Sequence, residues 1–413
     1  MTRRAGFGLS RELWLIEAGI FLNMLGYGAV LPFEVIYLHD GRGFSLGVAG
    51  LVVGALTGVA VVAAPFAGPV IDRHGARVTA VGAGAALAAG YGGLAFCRSP
   101  AQAFAAAALA GAGNGGLSPA QSTLTATLVT AGMRHRATAV SRVATNAGIG
   151  IGGAVGGLVA AYGLAGFVVL FLANAVTYLC YVCVLAILVR DSARPDRING
   201  GYRTVLRDRA CVHLGVTTVA MTAVGWGVFT WLLPPYARNG IGISARLVGL
   251  LLLANAAAVV LAHVPVARFA EGRRRVAMMA VAALLFAGAC VLVVAAGHTG
   301  RIAYAELVTA VVIVGIGECF FTATLMPLVA DLAPSALRGR YMASIGLCWW
   351  VGLAVAPTLG LPLLGRSAAA AFIAAAALAA SAGVSALALD RSLPDLSRVT
   401  PRPGGSAENR GTA

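Results

Sequence analysis

The chain has 413 residues, of which 59% are hydrophobic and only 11% are charged. Soluble domains carry about 25% charged residues, so this composition excludes a water-soluble globule. The formal charge of +15 comes from arginines placed in short segments between apolar runs, a pattern that argues against nucleic-acid binding and for contact with a membrane surface.

Twelve predominantly apolar runs are long enough to span a bilayer, which takes about 20 helical residues. The runs lack the alternating pattern of barrel strands, so helices must satisfy the backbone in lipid. The first run is too long for a signal peptide and has no small-residue cleavage site after it, which predicts an uncleaved membrane helix. The predicted spans are residues 13–38, 46–67, 78–97, 101–130, 138–162, 165–189, 210–236, 245–267, 276–297, 302–330, 340–363 and 368–389.

The arginines predict the orientation of these spans. If the N-terminus lies inside, 24 of the 30 arginines are cytoplasmic and 6 are outside, which places both termini in the cytoplasm of a cell-membrane protein. The longest polar break separates six spans from six. The predicted organisation is a cytoplasmic segment 1–12, a six-helix bundle 13–189, a cytoplasmic central loop 190–209, a second six-helix bundle 210–390 and a disordered cytoplasmic tail 391–413.

The two halves repeat one another. Short matches recur at an offset of about 200 residues, in the same order along both halves, which indicates a duplicated six-helix unit. We therefore predict an all-α membrane protein with 12 transmembrane helices arranged as two pseudo-symmetric six-helix bundles around a central cavity. The clearest matches pair Leu31-Pro32 with Leu233-Pro234, Tyr37 with Tyr236, and Gly50-Leu51 with Gly249-Leu250.

A charged, glycine-containing loop is predicted between spans 2 and 3, with the spacing Gly-x-x-x-Asp-Arg-x-Gly-x-Arg at Gly68, Asp72, Arg73, Gly75 and Arg77. With its twelve spans in two halves, the chain resembles the major facilitator superfamily over essentially its whole length, and this spacing matches that family's first signature. The resemblance implies a cytoplasmic gate that latches when a transporter opens outward, with Asp72 docking near the start of span 11. Alternatively the arginines only set topology, but that role requires neither Asp72 nor the glycine spacing.

Span 5 carries a second family pattern, Gly-x-x-x-Gly-Pro-x-x-Gly-Gly, in which this chain has glycine in place of proline. The resemblance implies a bendable packing face between the halves, as in antiporters; an ordinary glycine contact face is the alternative, since small residues let membrane helices pack closely. The segment from Asp331 to Met342 resembles the matching loop of the drug/proton antiporter branch, whereas Ala107 stands where many proton-driven members have arginine. The span 5 glycines are Gly148, Gly152, Gly153, Gly156 and Gly157.

Polar side chains concentrate in spans 1, 4, 7 and 10, whereas spans 3, 9 and 12 have few. Polar groups in a membrane bundle face protein or water, so the first helix of each triplet is predicted to line a central cavity and the third to face lipid. Trp226 and Trp349 are predicted as cavity aromatics, whereas Trp231 fits the membrane interface. The candidate cavity residues are Glu34, Glu318, Asn23, Tyr27, Asn114, Gln121, Trp226 and Trp349.

Two acids lie within the predicted spans. Glu318 is near the middle of span 10 and Glu34 is in the outer part of span 1, whereas Glu17 and Glu306 lie near span ends and are expected at the interface. A charge at mid-membrane costs several kcal/mol, so such acids are functional candidates. A carboxyl that gains and loses a proton would serve proton coupling or bind a cationic substrate. The alternatives are a neutral, hydrogen-bonded Glu318 and a Glu34 that reaches the outer interface.

These features predict a proton-coupled exporter of small amphipathic compounds, with a small-molecule substrate, protons and the lipid bilayer as its partners. An uptake carrier for a small metabolite, or a membrane sensor or scaffold without transport, are the alternatives. The proton gradient would supply the energy, with no cofactor or metal, and a monomer is expected. An enzyme is not expected, because the sequence has no nucleophile arrangement, metal-ligand spacing or nucleotide-binding loop.

Overall fold

The computed structural model of the chain describes residues 11–128, 134–188, 202–334 and 337–393. Within these ranges the long regular elements are all helices, which confirms the predicted all-α class. Most of the predicted segments 1–12, 190–209 and 391–413 lies outside the described residues, and the boundaries assigned to them stay predictions.

Twelve long helices in the described residues correspond one to one to the predicted spans, and we number them α1 to α12 in chain order. A short helix, Tyr202–Arg207, precedes α7. The first half comprises α1 (residues 11–41), α2 (Leu46–His74), α3 (Ala76–Phe96), α4 (Pro100–Leu128), α5 (Arg134–Ala160) and α6 (Leu164–Leu188). The second half comprises α7 (residues 209–240), α8 (Ala245–Ala270), α9 (Arg275–Ala296), α10 (residues 300–332), α11 (residues 338–364) and α12 (Ala368–Leu389).

Eleven of the described helices are long and apolar enough to cross a membrane. The remaining long helix, α4, is diluted by glycine, hydroxyl and amide side chains such as Asn114 and Gln121. Polar residues of this kind are tolerated in a membrane bundle when they face protein or a water-filled cavity. The composition of α4 therefore fits an interior position among the other helices.

Three helices, α1, α7 and α11, change pitch along their length. In α1 a tight turn at Leu31–Phe33 contains Pro32 and leads into a wide turn at Tyr37–Gly41. In α7 a wide stretch at Ala223–Leu232 precedes two prolines. In α11 the change is a wide turn at Ala356–Gly360, which contains Pro357. Proline has no N–H to donate and crowds the preceding turn, so the helix must adjust locally. These irregular stretches lie beside the candidate acids and aromatic residues.

The two halves pack in the same way. In the first half α1 contacts α5 and α6, α2 contacts α4, and α3 contacts α4 and α6; in the second half α7 contacts α11 and α12, α8 contacts α10, and α9 contacts α10 and α12. Between the halves, α2 packs on α11 and α5 packs on α8. The two-fold relation between the halves converts one of these contacts into the other. Equivalent residues confirm the repeat: Tyr37 contacts the end of α3, and Tyr236 contacts the end of α9.

The helices define two faces of the molecule. We call the face where α1 and α7 begin and α6 and α12 end the terminal face, and the opposite face the distal face. Antiparallel contacts such as Gly19 with Tyr181 in the first half and Tyr236 with Phe372 in the second establish this arrangement. Both ends of the described chain therefore lie on the same face.

The halves meet at their distal ends. Gly50 and Gly54 of α2 lie against α11, and Gly153 of α5 lies against Gly249 of α8. A hydrogen bond from Asn239 Nδ2 to Asp40 Oδ1, 2.9 Å long, joins the ends of α7 and α1. Because these contacts all lie in the distal part of the helices, the distal side of the central space is closed.

Toward the terminal face the same helices lose their cover. All residues from 65 to 70 of α2 except Ala67 are exposed, and Val260, Leu261 and Val264 of α8 are also exposed. A helix that faced only lipid on one side and its own bundle on the other would expose a narrower stripe. The structure is therefore open toward the terminal face and closed toward the distal face.

Candidate functional site

A cavity of about 120 Å³ lies between the two halves, on the inner side of the distal closure. Its wall combines apolar side chains with a few polar groups, an arrangement typical of small-molecule sites. Helices from both halves contribute: α1 and α5 from the first, and α7, α8 and α10 from the second. The polar lining residues are Asn146, Thr230, Asn255 and Glu318.

Glu318 is the acidic residue of this cavity. Its Oε1 accepts a hydrogen bond of 3.2 Å from Asn255 Nδ2 on α8, and the same amide donates to the carbonyl of Val311. The hydroxyl of Thr322, one turn along α10, donates to the Glu318 carbonyl rather than to its carboxyl. The carboxyl is thus held from one side by its own half and faces the space between the halves on the other.

An aromatic cluster supports the same wall. Trp226 lines the cavity, and its ring centroid is 4.4 Å from that of Trp349, which lies behind it on α11. Phe321 and Phe286 complete the cluster at centroid distances of 5.9 and 6.0 Å from Trp226. Aromatic rings packed in this way hold one another in a fixed orientation. The cavity therefore has one rigid, flat apolar face beside a carboxyl group.

Glu34 has a different environment. Only 4% of the residue is exposed, and its carboxyl accepts two hydrogen bonds of 3.2 Å, from the Tyr91 hydroxyl and from Trp231 Nε1. Tyr91 belongs to the same half, on α3, but Trp231 belongs to α7 of the other half. The carboxyl of Glu34 therefore closes a contact between the halves, away from the lining of the larger cavity.

The burial of three residues differs from the sequence expectations. Trp231, assigned to the membrane interface, is 4% exposed and reaches Glu34, and Tyr91, on a span expected to face lipid, is fully buried. Glu17, expected at the interface, is also buried, at 2% exposure. In each case a neighbouring helix covers the residue. The sequence of the residue's own span does not reveal which helix becomes its neighbour.

The other candidate cavity residues do not converge on Glu318. Asn23 is fully buried within the first half, and Tyr27 and Asn114 are half-buried. Gln121 Nε2 donates to the hydroxyl of Tyr181, 2.9 Å away on α6. The structure thus brings Glu318 and Trp226 to the cavity, with Trp349 behind them, and places the remaining candidates in the first half.

The glycines of α5 divide into two stripes. The stripe that faces α1 consists of Gly148, Gly152 and Gly156, where an added Cβ would meet α1 backbone atoms. The other stripe faces α8 of the opposite half, where a Cβ on Gly153 would come within 2.8 Å of the Leu252 Cβ and Gly157 approaches Ala245. The segment therefore packs on both its own half and the other half.

The turn between α2 and α3 is shorter than the predicted loop. Residues from Gly68 to His74 continue α2, and the chain reverses at Gly75, whose φ of 90° favours glycine. Arg77 donates to the carbonyls of Leu185, at 3.1 Å, and Ala186 at the end of α6. A cation at a helix C-terminus is favourable, so Arg77 ties α3 to α6 here.

The gate assigned to this turn stays a prediction. Arg73 is exposed, no neighbour lies within 4 Å of the Cβ position of Gly68, and the side chain of Asp72 lies outside the described part of the chain.

Three contact residues were not singled out from the sequence. Asn255 is the one amide in the apolar run of α8, Asn146 lies in α5, and Tyr91 is an isolated aromatic in an alanine- and glycine-rich span. A lone polar residue in a membrane span is a signal for an interior position. Its partner, however, is fixed by packing between helices and is not encoded in the span.

Comparisons with known proteins agree with this architecture. A family model described as Major Facilitator Superfamily matches residues 17–219 and again 215–411. The uncharacterized MFS-type transporter YttB of Bacillus subtilis (strain 168) is 27% identical over 365 residues, which cover 85% of this chain and 88% of the relative.

Solved structures share the fold at low sequence identity. A POT family transporter in complex with 5-aminolevulinic acid has a TM-score of 0.81 at 14% identity, covering 95% of this chain and 98% of that one. A peptide transporter POT in complex with sulfate has a TM-score of 0.76 at 17% identity, with 95% and 96% covered. Both similarities concern the arrangement of the helices.

Proposed function

We propose a transport mechanism for this chain from the premise that it belongs to the major facilitator superfamily, whose family model matches both of its halves. The chain is a multi-pass membrane transporter of the secondary type and not an enzyme. Beyond this, we propose that it exports small amphipathic compounds in exchange for protons. The arginine pattern of the sequence, which assigns 24 of the 30 arginines to the side of the N-terminus, supports a cytoplasmic position of the terminal face in the cell membrane.

The observation that carries the proposal is the position of Glu318. A carboxyl group inside the membrane is energetically costly, so its presence there indicates a function. This one borders a cavity between two halves that can move relative to each other. Asn255 holds it in place, and the aromatic wall at Trp226 lies beside it. A flat apolar compound with a cationic group could use the wall and the carboxyl together.

Alternating access would follow from the asymmetry of the contacts between halves. The distal contacts at Gly153, Gly249, Glu34 and Trp231 must separate for the distal side to open, while the terminal ends of α2 and α8 must approach. The two-fold relation of α2–α11 and α5–α8 allows this as a rocking motion about the central cavity. If a proton and the substrate bind at Glu318 alternately, the proton flux and the substrate flux are coupled.

Export rather than uptake is favoured by the lining. A hydrophilic metabolite would need more fixed polar partners than the amides, threonine and single carboxyl of this cavity provide. A sensor without transport would have no need for a carboxyl between mobile halves. The predicted gate at Asp72 would then close the terminal face in the outward-open state.

The test uses the purified chain in proteoliposomes with ethidium, a planar aromatic cation, as the probe. An imposed pH gradient should drive ethidium movement by the wild type, and Glu318→Gln should abolish it while leaving insertion and ethidium binding intact. Glu306→Gln is the matched control, because Glu306 lies on the same helix at its distal end. Undiminished gradient-driven transport by Glu318→Gln would remove Glu318 from the mechanism, and gradient-driven accumulation in the opposite direction would favour uptake.

A further inference from the structure

A file of buried and half-buried polar side chains runs through the first half, separate from the Glu318 cavity. It is formed where α1 faces α6, with additions from α3 and α4. Polar groups within a membrane bundle are costly, so a continuous series of them requires a reason. The members of this polar file are Glu17, Asn23, Tyr27 and Glu34 on α1, Tyr91 on α3, Gln121 on α4, and Asn174, Tyr178 and Tyr181 on α6.

Helix geometry aligns these residues. Asn174, Tyr178 and Tyr181 follow the i, i+4, i+7 spacing that places side chains on one face of a helix. The antiparallel packing sets Tyr181 against Gly19 and Asn174 against Gly26, so this face of α6 lies along α1 between Glu17 and Glu34. The file thus extends from the terminal side of the bundle toward its distal side.

Contacts connect the members at both ends. On the distal side the rings of Tyr178 and Tyr91 stack with centroids 5.8 Å apart, and the Tyr91 hydroxyl donates to Glu34. On the terminal side Ser141 donates a hydrogen bond of 2.5 Å to Glu17 Oε1, and Gln121 Nε2 donates one of 2.9 Å to the Tyr181 hydroxyl.

The middle of the file has unpaired polar atoms. Asn23 and Asn174 are both fully buried, and neither the amide oxygen nor the amide nitrogen of either residue has a hydrogen-bond partner in the protein. Glu17 Oε2 is buried and unpaired as well. Buried amides are nearly always hydrogen-bonded, and ordered water is the usual partner where protein groups do not reach. The two asparagines therefore mark a place for ordered water in the middle of the file.

On its other sides the described residues around Glu34 are mostly apolar. A small cavity of about 10 Å³ beside it is lined otherwise by apolar residues of α1, α2, α3, α4 and α6. Trp231 Nε1 donates to Glu34 but cannot accept a proton and pass it on, because indole N–H is a donor only. A proton that reaches Glu34 in this closed state therefore has to cross apolar packing or pass along the polar file. The second path avoids the cost of an unsolvated charge.

We propose that the polar file is a hydrated proton route of the first half, which connects Glu34 to the terminal face through ordered water at Asn23 and Asn174. A proton from solvent enters at Glu17, each water and hydroxyl on the way accepts one proton and donates one, and Glu34 takes up the last. Only Glu34 changes its charge. The substrate-facing acid Glu318 and the proton route then lie in different halves, an arrangement that rests on the proposed proton-coupled function.

The test measures proton access to Glu34 without substrate. The infrared carbonyl band of the Glu34 carboxyl is identified by its loss in Glu34→Gln, and its shift is followed after transfer of the purified full chain into D2O, at a pH at which the band is present. Wild type should exchange within the mixing time. Asn23→Leu and Asn174→Leu should slow exchange at least about tenfold, because an apolar gap excludes the bridging water. Asn23→Ser, which keeps a polar group at this position, should exchange as fast as wild type.

Thr222→Val is the matched control. Thr222 lies on α7, the counterpart of α1, and its buried hydroxyl also lacks a partner, so its replacement should leave exchange at Glu34 unchanged. If the asparagine variants do not assemble, Tyr178→Phe carries the same test, since it keeps the ring and removes the hydroxyl. Unchanged exchange in folded variants would overturn the route. Because no substrate is present, that outcome is independent of the result with Glu318→Gln.

Discussion

Glu34 and Glu318 are both carboxyls in membrane-spanning helices, but their partners differ in one respect. Glu318 is held by Asn255 of its own half, whereas Glu34 accepts one hydrogen bond from its own half and one from Trp231 of the other half. When halves rock as rigid bodies, contacts within a half persist and contacts between halves break. Glu34 is therefore positioned to respond to distal closure, and Glu318 to the contents of the cavity.

The first prediction concerns the closure itself. A Cβ added at Gly153 would already lie only 2.8 Å from the Leu252 Cβ. The larger side chain of Gly153→Leu would therefore push α5 and α8 apart and should hold the distal side open. We expect gradient-driven transport to fall by about tenfold or more, since overpacking at a close helix contact costs about 1–3 kcal/mol. Spin labels at Tyr162 and Ser244, on opposite halves of the distal face, should move apart.

The control for this variant is Gly82→Leu. The Cβ position of Gly82 has no neighbour within 4 Å, so the same substitution should leave both the label distance and transport as in wild type. Equal label distances in Gly153→Leu and wild type would show that the α5–α8 contact does not govern distal closure.

The second prediction concerns the support of Glu318. Asn255→Leu removes the 3.2 Å hydrogen bond to its carboxyl and should lower gradient-driven transport by about tenfold, because a hydrogen bond to a charged group contributes about 1.5–3 kcal/mol. Thr322→Val, which removes a hydroxyl bound to the Glu318 carbonyl, is the control and should transport nearly as wild type. If both variants lose transport equally, local packing rather than the carboxyl contact is responsible.

The third prediction separates Glu34 from the cavity. Trp231→Phe keeps an aromatic ring but removes the N–H that donates to Glu34. The loss of a hydrogen bond that contributes about 1 kcal/mol should shift the equilibrium toward the distal-open state by about fivefold. Distance measurements across the distal face provide the readout. Trp226→Phe, in the cavity wall, should instead weaken ethidium binding and leave the distances unchanged. The reverse pattern would contradict the assigned roles of the two tryptophans.

The smallest effect is expected at the distal surface. The hydrogen bond from Asn239 to Asp40 also joins the halves but is exposed, so water replaces it at little cost. Asn239→Ala should change transport by less than about twofold, for a contribution below about 0.5 kcal/mol. A large loss in this variant would mean that the exposed contact, rather than the buried one at Glu34, controls closure.

Much of the fold could be predicted from the sequence because the membrane imposes strict local rules. A span must be apolar and about 20 residues long, so hydropathy alone located the helices. The duplication was visible at positions such as Gly50 and Gly249, which the structure places at equivalent contacts between the halves. Where the sequence analysis differed, as for the α2–α3 turn, the helix continued through charged residues at the terminal face.

The candidate site was only partly predictable. The intramembrane position of Glu318 is a property of one span and was evident without a structure. Its partner Asn255, the contact of Trp231 with Glu34 and the burial of Glu17 depend on which helices become neighbours. Such pairings join residues from different spans, and nothing in a single apolar run specifies them.

The sequence by itself determined that this protein is a twelve-helix membrane protein with two related halves, since length, hydropathy and repetition act locally along the chain. Only the tertiary structure decided that Glu318 faces a cavity while Glu34 closes a contact between halves, and that Asn23 and Asn174 both belong to the polar file. The physical reason is that lipid selects apolar spans with little regard to their partners, whereas helix packing decides which polar side chains meet.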